Sequence, residues 1–462
     1  MNTYSPLTDQ DKKEMLATIG ASSVDELFSD IPKEKRLTGL NVPAPISEIE
    51  LEKEMTALAA KNLSAKNAAC FLGAGSYNHF IPAAVKHLVM RSEFYTAYTP
   101  YQPEISQGML QAIFEYQTYA CLLTGLDVSN ASLYDGATAL AEAASIAYHK
   151  TGRNKILVSS VVHPEWRAVL KTYAKAMDKI VEEIPYDPAT GTTSLSALKN
   201  ALKDDVAAVA LPQVNFFGII EDLSAAAETI KKNGSLAIAT FDPISLGLLT
   251  PPGELGFDLA VGEGQSLGNA MNLGGPGLGM IAAKKELVRF LPGRIVGQTV
   301  DHHGKRCFVL TLQAREQHIR REKASSNICS NEALCALTAT VYLSLLGKNG
   351  LKKVAELCLN KANYLREKLA AGAAPGFALA FAKGEPLARA AHAARAPSPI
   401  FKEFVVKCPA SPVALNKKLA EKNIIGGLAL ERYYPELKNH WLLCVTEVLG
   451  KRDLDYFLGL LR

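Results

Sequence analysis

Between Phe71 and about Gly293 the chain alternates short apolar runs with stretches of helical period. Lys155-Ile-Leu-Val-Ser-Ser160, Ala207-Ala-Val-Ala-Leu-Pro212 and Leu236-Ala-Ile-Ala-Thr-Phe241 read as strands. Each is followed by loop residues and a helical stretch such as Leu223-Ser-Ala-Ala-Ala-Glu-Thr-Ile230. Val128-Ser-Asn-Ala-Ser-Leu133 leads in the same way into Asp135-Gly-Ala-Thr-Ala-Leu, a helix start. Strand-helix alternation of this kind predicts an α/β fold with a mainly parallel sheet. In such sheets ligands sit beyond the carboxyl ends of the strands, so the turns after these strands are where chemistry is sought.

The pattern differs at both ends. Residues 1–65 predict an amphipathic helical arm without a deep core: Thr8 or Asp9 caps a helix through Ile19, Gly20 ends it, and Ile31-Pro32 and Val42-Pro43 break the rest of the arm. Residues 66–310 form the large α/β domain. Residues 311–462 predict a helical segment and a small α+β domain: Thr311–Gly347 largely helical, a long helix near Leu351–Ala371, loops and short strands over Ala371–Ser398, an alternating strand at Phe401–Val406 and another strand at Trp441–Thr446. No internal repeat is visible.

Composition narrows the class. The 462 residues are 48% hydrophobic and 21% charged, as in globular proteins. A net charge of +4 with acids and bases interspersed argues against nucleic acid as a partner. No apolar run reaches the length of a membrane span, and the polar N-terminus carries no secretory signal core, so the expected location is the cytoplasm. The eight cysteines are scattered without a Cys-x-x-Cys pair, which favours reduced thiols over a disulfide framework or zinc site. His302 and His303 read as part of a polar loop rather than convergent ligands.

The candidate chemistry lies in the turns. Asp135-Gly-Ala-Thr138 opens a helix, where free N–H groups and the dipole favour an anion such as phosphate; Gly136 permits close approach and Thr138 offers a hydroxyl, though an ordinary Asp N-cap has the same appearance. His163 could stack on a flat ring or be a loop histidine. Asn215 could bond a ring substituent or be a turn residue, and Asp242 could pair with a pyridine nitrogen or belong to an Asp-Pro turn. Downstream, the glycine-rich run Gly262–Gly279 reads like the lysine loop of a pyridoxal-phosphate (PLP) enzyme, yet no lysine occurs from Asn233 to Ala283. Gln265 and Ser266 stand where it is expected, and neither can form a Schiff base. A separate loop, Phe94-Tyr-Thr-Ala-Tyr-Thr-Pro-Tyr-Gln-Pro103, sets Tyr95, Tyr98, Tyr101 and Gln102 among prolines, either as interface residues or as a packed surface loop.

Tyr98–Gln117 and Arg315–Asn331, with Phe28-Ser-Asp-Ile-Pro32 and Gly274-Gly-Pro-Gly277, resemble the glycine cleavage system P-protein, glycine decarboxylase, over essentially the whole chain. The resemblance implies a PLP-dependent transferase-like architecture (fold type I). In that family some enzymes are split into two subunits, and the length here matches subunit 1. The sister half carries His-Lys-Thr where this chain has Gly264-Gln-Ser-Leu-Gly268. The resemblance therefore implies an α2β2 assembly with PLP on the sister subunit. That assembly releases CO2 from glycine and transfers the aminomethyl group to the lipoyl arm of H-protein. It also implies a vestigial pocket at Gly136, Thr138, His163, Asn215, Asp242, Gln265 and Ser266. Tyr95, Tyr98, Tyr101 and Gln102 are expected to reach across the subunit boundary. Other readings are a purely structural or regulatory subunit, and an independent PLP enzyme using Lys284 or Lys285.

Overall fold

The computed structural model describes residues 6–37, 39–271, 275–324, 326–328, 330–381 and 398–462. The chain divides into two units, Met1–Asn62 and Leu63–Arg462.

In the first unit, Thr8 caps helix Asp9–Ile19 through a capping box with Asp11, and Gly20 ends it in the left-handed conformation. Ser47 and Glu50 form the same box on helix Glu48–Ala59. None of its described residues is buried, and Met15, Phe28, Leu40, Ile49 and Met55 are among its exposed apolar side chains.

The second unit is built on a seven-stranded sheet of β1 (Val128–Ser129), β2 (Lys155–Ser159), β3 (Ile180–Ile184), β4 (Val206–Pro212), β5 (Leu236–Phe241), β6 (Leu259–Glu263) and β7 (Gly279–Ala283). Their order is β1-β7-β6-β5-β4-β2-β3. The pairs from β3 to β6 are parallel, while β7 runs antiparallel to both neighbours. All of β4 is buried, because both faces of the sheet are covered. Ala208 and Ala210 pack on Leu140, Ala143 and Ala147 of helix Gly136–Thr151, whereas Val209 and Leu211 face Leu223, Ala226 and Ile230.

A hairpin of Ile295–Val300 and Arg306–Thr311 comes next, with His302 and His303 in its turn and their ring centroids 3.7 Å apart. The expected helix over Thr311–Gly347 is shorter. Residues 312–324 hold only single turns, and the continuous helix starts at Ala333. It runs to Ala370 and breaks at Gly347 (φ 58°), near the gap expected between two helices. Glu403–Lys407 and His440–Cys444 pair antiparallel at the centre of a four-stranded sheet completed by Ala378–Leu379 and Leu428–Ala429. The alternating pattern read at Phe401–Val406 does not mark a half-exposed strand, since Phe401 through Val406 are all buried. Most of the Ala-rich stretch, 382–397, lies outside the described residues, as does Cys329; the seven described cysteines are free thiols. Among the described residues no helix is long and apolar enough to cross a membrane.

Candidate active site

The carboxyl ends of β2, β4, β5 and β6 converge, and there the chain brings together most of the candidate turn residues. His163, Asn215 and Asp242 line one cavity of about 70 Å3 with Tyr77, Trp166, Glu263 and Glu403. Gly136 lies beneath the Trp166 indole, where a Cβ would collide with the ring.

Several of these side chains are already engaged. Thr138 closes a capping box: its N–H donates to Asp135 Oδ1 (2.8 Å) and its hydroxyl to the Asp135 carbonyl (2.9 Å). Asn215 donates to Gly191 O (2.8 Å) and Glu221 Oε1 (2.9 Å) and accepts from the N–H groups of Phe217 and Ile219, so its amide is committed to the turn after β4. Burial lowers the His163 pKa. The ring donates through Nε2 to Ala74 O (2.9 Å) and accepts the Glu165 N–H at Nδ1, capping helix Pro164–Ala176 as a neutral imidazole. Gln265 accepts the Tyr77 N–H (2.9 Å) and donates to Asn269 O (2.7 Å), pinning the 73–80 loop to the end of β6. The buried Ser266 hydroxyl finds no hydrogen-bond partner among the described residues.

Two charged residues that the sequence did not single out dominate the site. Glu263, the last residue of β6, accepts three backbone N–H bonds, from Gly136 (2.9 Å), Gln265 (2.9 Å) and Leu278 (2.8 Å). Burial raises its pKa and the three donors oppose that rise. Lys402 enters from just before the small sheet, and its Nζ lies 2.5 Å from Asp242 Oδ2. It also lies 3.4 Å from the centroid of the Tyr77 ring and 3.3 Å from His79 Nε2. Burial, the largest single influence, pulls the Lys402 ammonium down, but the charge and hydrogen bond of Asp242 together with the neighbouring Cys444 and Cys358 leave its pKa above the usual lysine value. Beyond Lys402, His79 Nδ1 lies 2.6 Å from Glu447 Oε2. Against its burial, bonds from His79 and the Phe80 N–H pull Glu447 down to about 2.

The lysines considered for an independent enzyme lie elsewhere. Lys284 follows β7, which runs back along the sheet, and pairs with Asp258 (2.5 Å) just before β6. It therefore sits at the end of the strands opposite the cavity, and the adjacent Lys285 starts a short 3-10 helix there.

A PLP molecule does not fit these residues. The N–H at the helix start is already bound by Glu263, and Asp242 is already bound by Lys402. The neighbouring cleft of about 420 Å3 is lined by Asp135, Glu165 and Glu263, an unfavourable surface for phosphate.

Tyr95, Tyr98, Tyr101 and Gln102 do not line this cavity. Tyr98, Tyr101 and Gln102 border a groove of about 1000 Å3 with Arg91, Phe94, Ile105 and Met109, and Tyr95 is exposed beside it. Tyr98 is 83% exposed, while the Tyr101 hydroxyl accepts from Arg294 (3.1 Å), whose guanidinium also lies over the ring.

The family model of the glycine cleavage system P-protein matches residues 2–379. The chain belongs to the glycine cleavage system P-protein family. Among its relatives is the "Probable glycine dehydrogenase (decarboxylating) subunit 1" of Moorella thermoacetica, 54% identical and covering 100% of this chain and 99% of the relative. A solved glycine decarboxylase (P-protein) of the glycine cleavage system, in inhibitor-bound form, superposes with a TM-score of 0.88 at 43% identity over 99% of both chains. The sphingosine-1-phosphate lyase of Burkholderia pseudomallei shares only the fold (TM-score 0.64, 13% identity, 93% and 92% covered). The P-protein family and these neighbours agree with the sheet order in placing the chain in fold type I.

Proposed function

We propose that this chain is the half of a two-subunit glycine decarboxylase that does not carry the cofactor. PLP, attached to the sister subunit, supplies the electron sink for decarboxylation. The assembly, an α2β2 tetramer, releases CO2 from glycine and passes the aminomethyl group to the lipoyl arm of H-protein. The observation that carries this reading is the cavity at the strand ends, where Lys402 holds Asp242 and Glu263 holds the helix start. Relatives named subunit 1 along the full length support a second subunit. So does the first unit, whose exposed apolar side chains have no core of their own to enter.

In this reading the chain contributes the Tyr98 groove to the sister's active site. Exposed tyrosines offer ring area and a hydroxyl at low entropic cost, which suits them to close a neighbouring site. A purely structural subunit would have the same closed cavity, so the groove separates the two readings. Changing Tyr98→Ala and Tyr101→Ala together and assaying the mixed subunits decides between them. A large loss of glycine-dependent CO2 release, with assembly intact by sedimentation, supports the contribution. Near-normal activity refutes it and leaves the structural subunit.

A further inference from the structure

We propose that Lys402 and Glu263 are built-in replacements for the two charged ends of a pyridoxal phosphate, and that they close the folded chain to that cofactor. The inference deepens the two-subunit reading, which concerns where the cofactor is held; this one concerns what stands in its place.

A pyridoxal phosphate brings a phosphate dianion at one end and a protonated pyridine nitrogen at the other. The anion is matched by a helix N-terminus and the pyridinium by an acidic side chain. Both partners are present here, and each is satisfied from within. The Glu263 carboxylate sits on the Gly136 N–H at the start of helix Gly136–Thr151 and takes two further N–H groups, from Gln265 and Leu278. The Lys402 ammonium sits on Asp242. Glu263 and Asp242 line the same cavity, with His163 and Trp166 on its wall. The cavity they line is about 70 Å3, under half of the roughly 150 Å3 that admits a benzene ring, and the adjoining cleft of about 420 Å3, which shares Gly75, His163, Trp166 and Glu263 with it, has Asp135, Glu165 and Glu263 on its walls.

Lys402 is held for this position. Its carbonyl accepts the Val445 N–H (2.8 Å), the preceding Phe401 N–H donates to Gly218 O (3.0 Å), and the ammonium is enclosed by the Tyr77 ring and His79. A charged ammonium beside Asp242 is a donor rather than a nucleophile. The same ammonium argues against a metal at the buried trio of His79, Cys358 and Glu447. Facing Lys402, Nε2 must accept, so Nδ1 carries the proton and donates to Glu447 and offers no lone pair to an ion.

The test uses the full-length chain and pyridoxamine 5′-phosphate, whose amine forms no Schiff base with lysine. Binding is read by quenching of Trp166 fluorescence. Wild type is expected to show no saturable quenching into the millimolar range. Glu263→Ala combined with Lys402→Ala is expected to bind at least about tenfold more tightly than either single variant. Saturable binding by wild type overturns the proposal, as does a folded double variant that binds no better than wild type. If the double variant does not fold, Glu263→Ala alone decides. Inorganic phosphate should then raise its melting temperature above that in chloride at equal ionic strength by more than it raises that of wild type, which shows only the general stabilisation by an excluded anion; an equal rise in both overturns the proposal. None of these readouts needs the sister subunit, so they fail independently of the two-subunit reading.

Discussion

Replacing Lys402 by Met keeps most of the side-chain volume and removes the charge. The ammonium it deletes is 1% exposed, and its partner Asp242 is 10% exposed. Breaking a buried ion pair from one side costs about 3–5 kcal/mol, because the remaining charge is left uncompensated. Two features favour the lower end of that range. Asp242 Oδ1 keeps the Ile244 N–H (3.0 Å), and the carboxylate borders a cavity wide enough to admit water. The expected loss for Lys402→Met is therefore about 3 kcal/mol. Asp242→Asn leaves the ammonium without its ion-pair partner, beside the Tyr77 ring and a neutral imidazole, and a similar loss is expected. Removing both charges should cost clearly less than the sum, with a coupling of about 2 kcal/mol. Urea unfolding followed by tryptophan fluorescence reports on this region, since the fully buried Trp441 pairs with Val406, four residues from Lys402. A loss below about 1 kcal/mol, the range of exposed pairs, or strict additivity would refute the buried-pair account.

Glu221 gives a pH test. Burial pushes its carboxyl up to about 7 from an ordinary value of 4.5, against bonds from Thr193 and Asn215. Between those values the folded chain holds a proton that the unfolded chain has lost, so stability falls as pH rises through this window and is level above it. Glu221→Gln keeps the acceptor oxygen, and should be about 2 kcal/mol more stable than wild type at pH 8, with a flatter profile from pH 5 to 7 in urea titrations. Gly136→Ala should lose about 2 kcal/mol by driving a methyl into the Trp166 ring, read from the urea midpoint; a neutral result would mean the indole moves freely. Tyr98→Ala should leave the melting of the isolated chain within about 0.5 kcal/mol of wild type, as its side chain lies in solvent. A larger drop would make the residue structural.

The sheet was legible because its strands are short apolar runs closed by turn chemistry, and β2, β4 and β5 fall within a residue or so of the runs that predicted them. The helix at Gly136 was legible from its Asp cap and the start of the arm from its Thr8 cap. Residues 312–324 are of types that suit helices, while tertiary contacts set their course. Arg315, for example, reaches back to the carbonyls of Leu291 and Gly293. Two of the charges gathered at the strand ends, Glu263 and Lys402, leave different traces in the sequence. Glu263 ends an otherwise apolar strand, which was a readable anomaly, since a carboxylate there must find donors. Lys402 follows Phe401 in what looked like ordinary alternation, and nothing local tells a buried lysine from a solvated one. Its partner is 160 positions away, and only the fold joins them. Tyr77 and His79 lie in a loop with no motif of its own.

The central claim is that the chain works as the half without the cofactor. It is tested most directly by PLP content and glycine-dependent CO2 exchange, measured on the purified chain alone and mixed with its sister subunit. The account predicts no bound PLP and no exchange for the chain alone, with both present in the mixture. A borohydride-stable PLP adduct on this chain, together with exchange in the absence of the sister, would contradict it.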